Sequence, residues 1–263
     1  MKGFPILLLS AALAAPSAAV TVIYEQSFTP GAGTSGLNGT SPTTGSNNWV
    51  ASSTFEADGD FGEGPGSATL AFTPVDGLIY TLDASFRNMS PTVNVGAPES
   101  DWAAVGFGKG QSTGSTANDR FVNNNLIGKA WMLVRGADTT GTLGNATHLG
   151  SAISGTVSPL TWTDATLAGS YGGGMDMRIV LDTTGGTGAW TATWFAKLPA
   201  DGSFTEVRSA TTLLNEDIDS VGVAISNPGF DGDLTYFSLT SVPEPSAALL
   251  GGLGLLALLR RRR

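Results

Sequence analysis

The chain has 263 residues, a formal net charge of −9, 36 glycines and 13 prolines, with only 13% of residues charged. That profile suits short strands joined by turns rather than long helices. The absence of cysteine excludes disulfides and thiolate metal sites, and 8 basic against 21 acidic residues between Val20 and Val242, a net of −13, exclude a nucleic-acid or anionic-lipid partner for the body.

Taken in order, the chain opens on Met1-Lys2-Gly3, followed by an apolar run from Phe4 to Ala15 and the small residues Ser17-Ala18-Ala19. This is the pattern of a secretory signal peptide, residues 1–19, with signal peptidase expected to cut after Ala19. Residues 20–241 then form the expected body. Val20 to Phe28 is β-branched and aromatic, a first strand. Thr29 to Asn48 is Gly, Ser, Thr and Asn and reads as loop, with Trp49 and Phe55 placed to pin its far end to a core. Asp58 to Gly66 reads as a second loop.

Leu78 to Arg87 alternates with period two: Tyr80, Leu82, Ala84 and Phe86 share one face. Trp102 to Phe107 and Trp131 to Val134 are short apolar runs that suit buried strands. Met175, Met177, Ile179 and Leu181 alternate with polar residues. Trp190, Ala192, Trp194 and Ala196 do the same beyond Gly185-Gly186-Thr187-Gly188, a hairpin signal. Ser220 to Ile225 and Leu234 to Leu239 complete the set. Many strands without a helix predict an all-β, two-sheet antiparallel sandwich. The strand-and-turn pattern from about Leu70 to Thr240, closing on Asp231-Gly-Asp233-Leu-Thr-Tyr-Phe-Ser-Leu, resembles the concanavalin-like jelly-roll domains of lectins and laminin-G-type modules.

The residues that carry chemistry are few. Gly110-Gln111-Ser112-Thr113-Gly114 fits the G-x-S-x-G nucleophile elbow, and Asp119, Asp138 and the single histidine, His148, follow in the right order. The elbow requires a helix directly after its serine, whereas Ser115 to Asn125 is polar and loop-like, so no catalytic residue is assigned. Jelly-roll glucanases place their carboxylates as Glu-x-Asp-x-Glu on one strand. Asp217 and Asp219 come nearest and lack the last glutamate, which reads better as a solvated edge before a strand. No cofactor is expected. Calcium is the one ion left open, through Asp58 and Asp60 or Asp231 and Asp233, although Asp-Gly pairs are mostly turns. Of the six tryptophans, Trp49 and Trp162 lie in turn-rich context and are the candidates for a glycan-contacting surface.

The last 22 residues, 242–263, have three parts. Val242-Pro243-Glu244-Pro245 is expected to be extended, exposed and free of secondary structure, because each proline fixes φ and lacks an N–H. Residues 246–259 contain only Ser, Ala, Gly and Leu, and as a helix would span about 21 Å. Arg260, Arg261, Arg262 and Arg263 end the chain. They orient the segment with its C-terminus in the cytoplasm and extend its reach by snorkelling. The tripeptide, apolar segment and Arg cluster together resemble the PEP-CTERM sorting signal of bacterial exported proteins. The resemblance implies a membrane-embedded exosortase as partner, cutting near the tripeptide. The alternative is a plain tail anchor. The expectation is an exported, non-catalytic protein, held in the inner membrane by its tail and then at the cell surface or in the extracellular matrix, in contact with exopolysaccharide. A polysaccharide hydrolase or lyase on a jelly-roll scaffold is the competing function.

Overall fold

The computed structural model describes residues 19–28, 36–53, 55, 66–87, 102–111, 128–135, 146–149, 160–161, 174–213, 216–225 and 233–244. Every element among them is a strand or a turn. One sheet has six strands in the spatial order β1 (Thr21–Ser27), β13 (Asp233–Pro243), β4 (Leu78–Arg87), β9 (Met175–Asp182), β10 (Thr191–Lys197) and β11 (Thr205–Thr212). The other has seven: β2 (Val50–Ala51), β3 (Gly66–Ala71), β12 (Ser220–Ile225), β5 (Trp102–Gly108), β6 (Gly128–Arg135), β7 (Ala146–Leu149) and β8 (Leu160–Thr161). All neighbours are antiparallel. This is the all-β, two-layer jelly-roll sandwich that the strand pattern predicts.

Alternation drives the layering. On β4, Tyr80, Leu82, Ala84 and Phe86 are buried while their neighbours are half-buried, and β9 and β10 repeat the pattern with Met177, Ile179, Leu181, Ala192, Trp194 and Ala196. Aromatic rings lock the two layers. Trp49, next to β2, meets Phe237 of β13 edge-on at 5.1 Å, and Phe72, after β3, meets Tyr80 of β4 at 5.1 Å. A buried ring of this kind removes about 150–250 Å² from water, about 4–6 kcal/mol at ~25 cal/mol per Å² before the entropy of ordering it.

Three expectations change. Trp49 is wholly buried and belongs to the core. The backbone bonds Trp49 N to Thr40 O and Gly39 N to Trp49 O, each 2.8 Å, turn its ring inward, so it offers no surface to a glycan. The last strand is longer than Leu234 to Leu239: it runs from Asp233 to Pro243 and so takes in the first two residues assigned to the tail. Gly66, placed at the end of a loop, instead begins β3, and β2, β7, β8 and β11 add strands that the sequence pattern did not mark.

Candidate functional site

Two places combine accessible chemistry with a defined geometry: the end of β13 and a cleft at one end of the seven-stranded sheet.

At the end of β13, Ser241 lies opposite Thr21 of β1 and Tyr80 of β4, Val242 opposite Ile79, and Pro243 opposite Leu78. Antiparallel strands alternate the direction of their backbone groups, so each residue serves one neighbour. Leu78 serves the other neighbour, just past the end of β9: its amide donates to Thr183 Oγ1 at 3.1 Å, and its carbonyl accepts the Thr183 amide at 3.0 Å. The ladder therefore asks for no donor from the residue facing Leu78, which is where proline, having none, is tolerated. Glu244 supplies the next donor, its amide reaching the Gly77 carbonyl at 3.4 Å. Val242 and Glu244 are half-buried and Pro243 is exposed. Val242 and Pro243 are extended, as the proline requires, but they are paired to β4. The expectation that Val242 to Pro245 stand free of secondary structure fails for Val242 and Pro243, because the pairing alternates in step with the proline.

The cleft is open to solvent, offers about 470 Å³ and is lined by Asn47, Phe72, Thr73, Gly110, Gln111 and Asp219, together with Ala71. Asp219 stands just before β12 and is pinned from both sides: its amide donates to the Gly108 carbonyl at 3.0 Å, and its own carbonyl accepts the Phe72 amide at 2.8 Å. Its Oδ1 accepts the Gly110 amide. Asn47 donates both amide hydrogens, to the Tyr24 hydroxyl at 2.5 Å and the Ala71 carbonyl at 3.1 Å, so what it offers a ligand is its oxygen. Gln111 donates to the Thr69 carbonyl at 3.2 Å. Beside the cleft Lys109 pairs with Asp217. Lys129, on β6, is buried, and burial holds its ammonium below the usual lysine value, an effect that Lys109 reinforces and Asp217 and Asp219 oppose. The set is rich in acceptors and suits a ligand that brings hydroxyl donors.

The other sequence candidates divide by position. Ser112, Asp119, Asp138, Trp162, Asp58, Asp60, Asp231, Pro245, the segment 246–259 and Arg260 to Arg263 lie outside the described residues, as do residues 1–18. His148 falls on β7 opposite Trp131, and Asp233 begins β13 opposite Arg87. Trp190 and Trp194 are core, as expected. Asp217 and Asp219 form a non-strand edge before β12, also as expected. Among the described residues no three His, Asp or Glu side chains gather to hold a metal, and no helix is long and apolar enough to cross a membrane. Sequence reasoning passed over Asn47 and Gln111. Gln111 sits inside the G-x-S-x-G match, where attention falls on the serine.

Comparison with known proteins now adds to this geometry. The model of the PEP-CTERM protein-sorting motif matches residues 241–263. A search of curated proteins finds no match. Similar solved structures include the Emp46p carbohydrate recognition domain (14% identity, 73% of this chain and 87% of that one, TM-score 0.48). They also include the winged bean acidic lectin complexed with methyl-alpha-D-galactose (9%, 86% and 100%, TM-score 0.44). A third is the endo-1,3-beta-glucanase from Streptomyces sioyaensis (15%, 89% and 100%, TM-score 0.46). The chain thus carries a PEP-CTERM sorting motif at its C-terminus, and that motif implies export and membrane anchoring through the tail.

Proposed function

We propose that the protein is an exported, non-catalytic module of the cell surface or extracellular matrix, delivered through its PEP-CTERM tail, which contacts a neutral exopolysaccharide through the cleft around Asp219. The acceptor-rich lining of that cleft carries the reading. Asp219, Asn47 and Gln111 bring carboxylate and amide oxygens together over one small, rigid site, the arrangement that orients a ring of hydroxyl donors. A net charge of −13 between Val20 and Val242 disfavours an anionic chain, so the ligand class is neutral glycan. In the non-catalytic reading neither Asp217 nor Asp219 cleaves a bond, and each has one oxygen committed to a donor, Lys109 and the Gly110 amide respectively.

Signal peptidase cuts after Ala19. The tail then holds the protein in the inner membrane with Arg260 to Arg263 in the cytoplasm, until an exosortase cuts near Pro243-Glu244-Pro245. The glycan contact is tested by titrating the full chain, in detergent, with neutral polysaccharides. Saturable binding that Gln111→Ala and Asp219→Ala weaken, at unchanged melting temperature, supports the reading. Release of reducing ends from the polysaccharide moves the protein to the hydrolase class. No ion is needed in this scheme. With Asp58, Asp60, Asp231 and Asp233 serving turns only, EDTA leaves the melting temperature where it was, whereas a calcium-dependent rise of several degrees adds a bound ion.

A further inference from the structure

Val242 and Pro243 are claimed twice: by the sorting motif, which matches from Ser241 onward, and by the sandwich, whose last strand they complete, with Glu244 adding one backbone bond beyond it. No linker separates the two. The pairing is specific, since the register places Pro243 opposite Leu78, whose amide and carbonyl both bond Thr183, and the only amide in Pro-Glu-Pro is directed at Gly77. Thr183 is wholly buried, and its hydroxyl lies 2.7 Å from the Leu78 carbonyl and 2.8 Å from that of Val75, so the acceptor side of the pairing is itself held firm. A protease or transferase that binds its substrate as an extended strand needs the backbone groups that β4 here occupies.

We infer that the folded sandwich masks the first half of its own sorting motif, so that tail processing waits on release of Val242 to Glu244 from the start of β4. The inference rests on the reading that the tail is processed. It makes the stability of the β13 end a control on when the protein leaves the membrane. Strand ends open at low cost compared with the core, so the mask delays the cut rather than forbidding it.

The test follows tail loss by mass spectrometry in a host that has an exosortase, using the full chain. Insertion of a short Gly/Ser linker between Ser241 and Val242 lets the sandwich close on the linker and frees the motif. Tail loss should then be several-fold faster than in the wild type. The paired variant Ile79→Cys with Val242→Cys, in a chain with no other cysteine, provides the converse. These residues face each other across the ladder, within reach of a disulfide. The reduced form should be cut and the oxidised form spared. Equal rates for wild type and linker variant, or an oxidised form cut as fast as the reduced one, overturn the masking inference and leave processing intact. Retention of the tail in both wild type and linker variant overturns processing itself, and masking with it.

Discussion

Arg178 and Lys129 are both cations on strands, and their surroundings give them opposite standing. Arg178 forks onto Asp83, directly opposite it, at 2.7 and 2.9 Å, and its guanidinium lies 4.1 Å over the Phe204 ring. The hydrogen bond to Asp83 raises its pKa against the pull of burial. Arg178→Lys keeps the charge and loses both the fork and the stacking. The pair is partly exposed, so the expected cost is about 0.5–1 kcal/mol, read from denaturant melts. Lys129 has no such fork, and burial lowers its pKa. The unfolded chain therefore binds more protons at this residue than the folded chain, and its contribution to stability rises with pH through that interval. Lys129→Met removes the titration. The melting temperature of the variant should exceed that of the wild type near neutral pH, and the gap should narrow as pH approaches about 10. Tyr80 and Tyr236, raised chiefly by burial, act in the opposite sense but equally in both chains. A gap that stays constant with pH would mean that the ammonium is solvated in the fold.

The hairpin joining β9 to β10 shows how an element is held by residues remote from it. Gly186 and Gly188 take φ of 76° and 89°, which the turn requires. Glu216, on the approach to β12, accepts the Gly188 and Trp190 amides at 2.6 and 2.7 Å, and Asp76 accepts the Trp190 indole at 2.7 Å. Glu216→Ala leaves two amides without their charged acceptor and should cost about 1–3 kcal/mol, while a loss near zero would mean that water replaces the carboxylate. This hairpin was legible because β9 and β10 each show one apolar and one polar face. The same signal is missing from β3, Gly66–Ala71, which is buried on both faces and made of small residues apart from Leu70, and from β11, an edge strand with exposed residues along its length. The direction of the Trp49 ring was illegible too, since turn-rich neighbours do not reveal which way a side chain points. The cleft was out of reach for another reason. Asn47, Thr73, Gln111 and Asp219 are far apart in sequence and meet only through the strand order of the seven-stranded sheet. The sorting tail, by contrast, was fully readable, because its order of proline pair, apolar run and arginines is local.

At the scale of the whole molecule, both ends of the sandwich body emerge at the same place. β1 starts at Thr21, two residues after the expected signal-peptidase cut, and Thr21 faces Ser241 on β13. The same end carries the loop before β4 and the turn between β9 and β10. A tail that enters the membrane a few residues beyond Pro243 sets this end against the lipid surface. The large apolar side chains exposed among the described residues gather there: Val20 and Val22 at the start of β1, and Val75 in the loop before β4, 61% exposed. The opposite end carries the exposed turn Asp201 to Ser203, which follows β10. The absence of native cysteine makes the two ends separately addressable. Val75→Cys should react slowly with a membrane-impermeant maleimide while the full chain is tethered in membranes, and rapidly once the tail is removed or detergent replaces the bilayer. Ser203→Cys should react at one rate throughout. Equal labelling of the two positions in membranes would mean that the sandwich swings clear of the surface, and that the junction at Glu244 opens even before any enzyme acts on it.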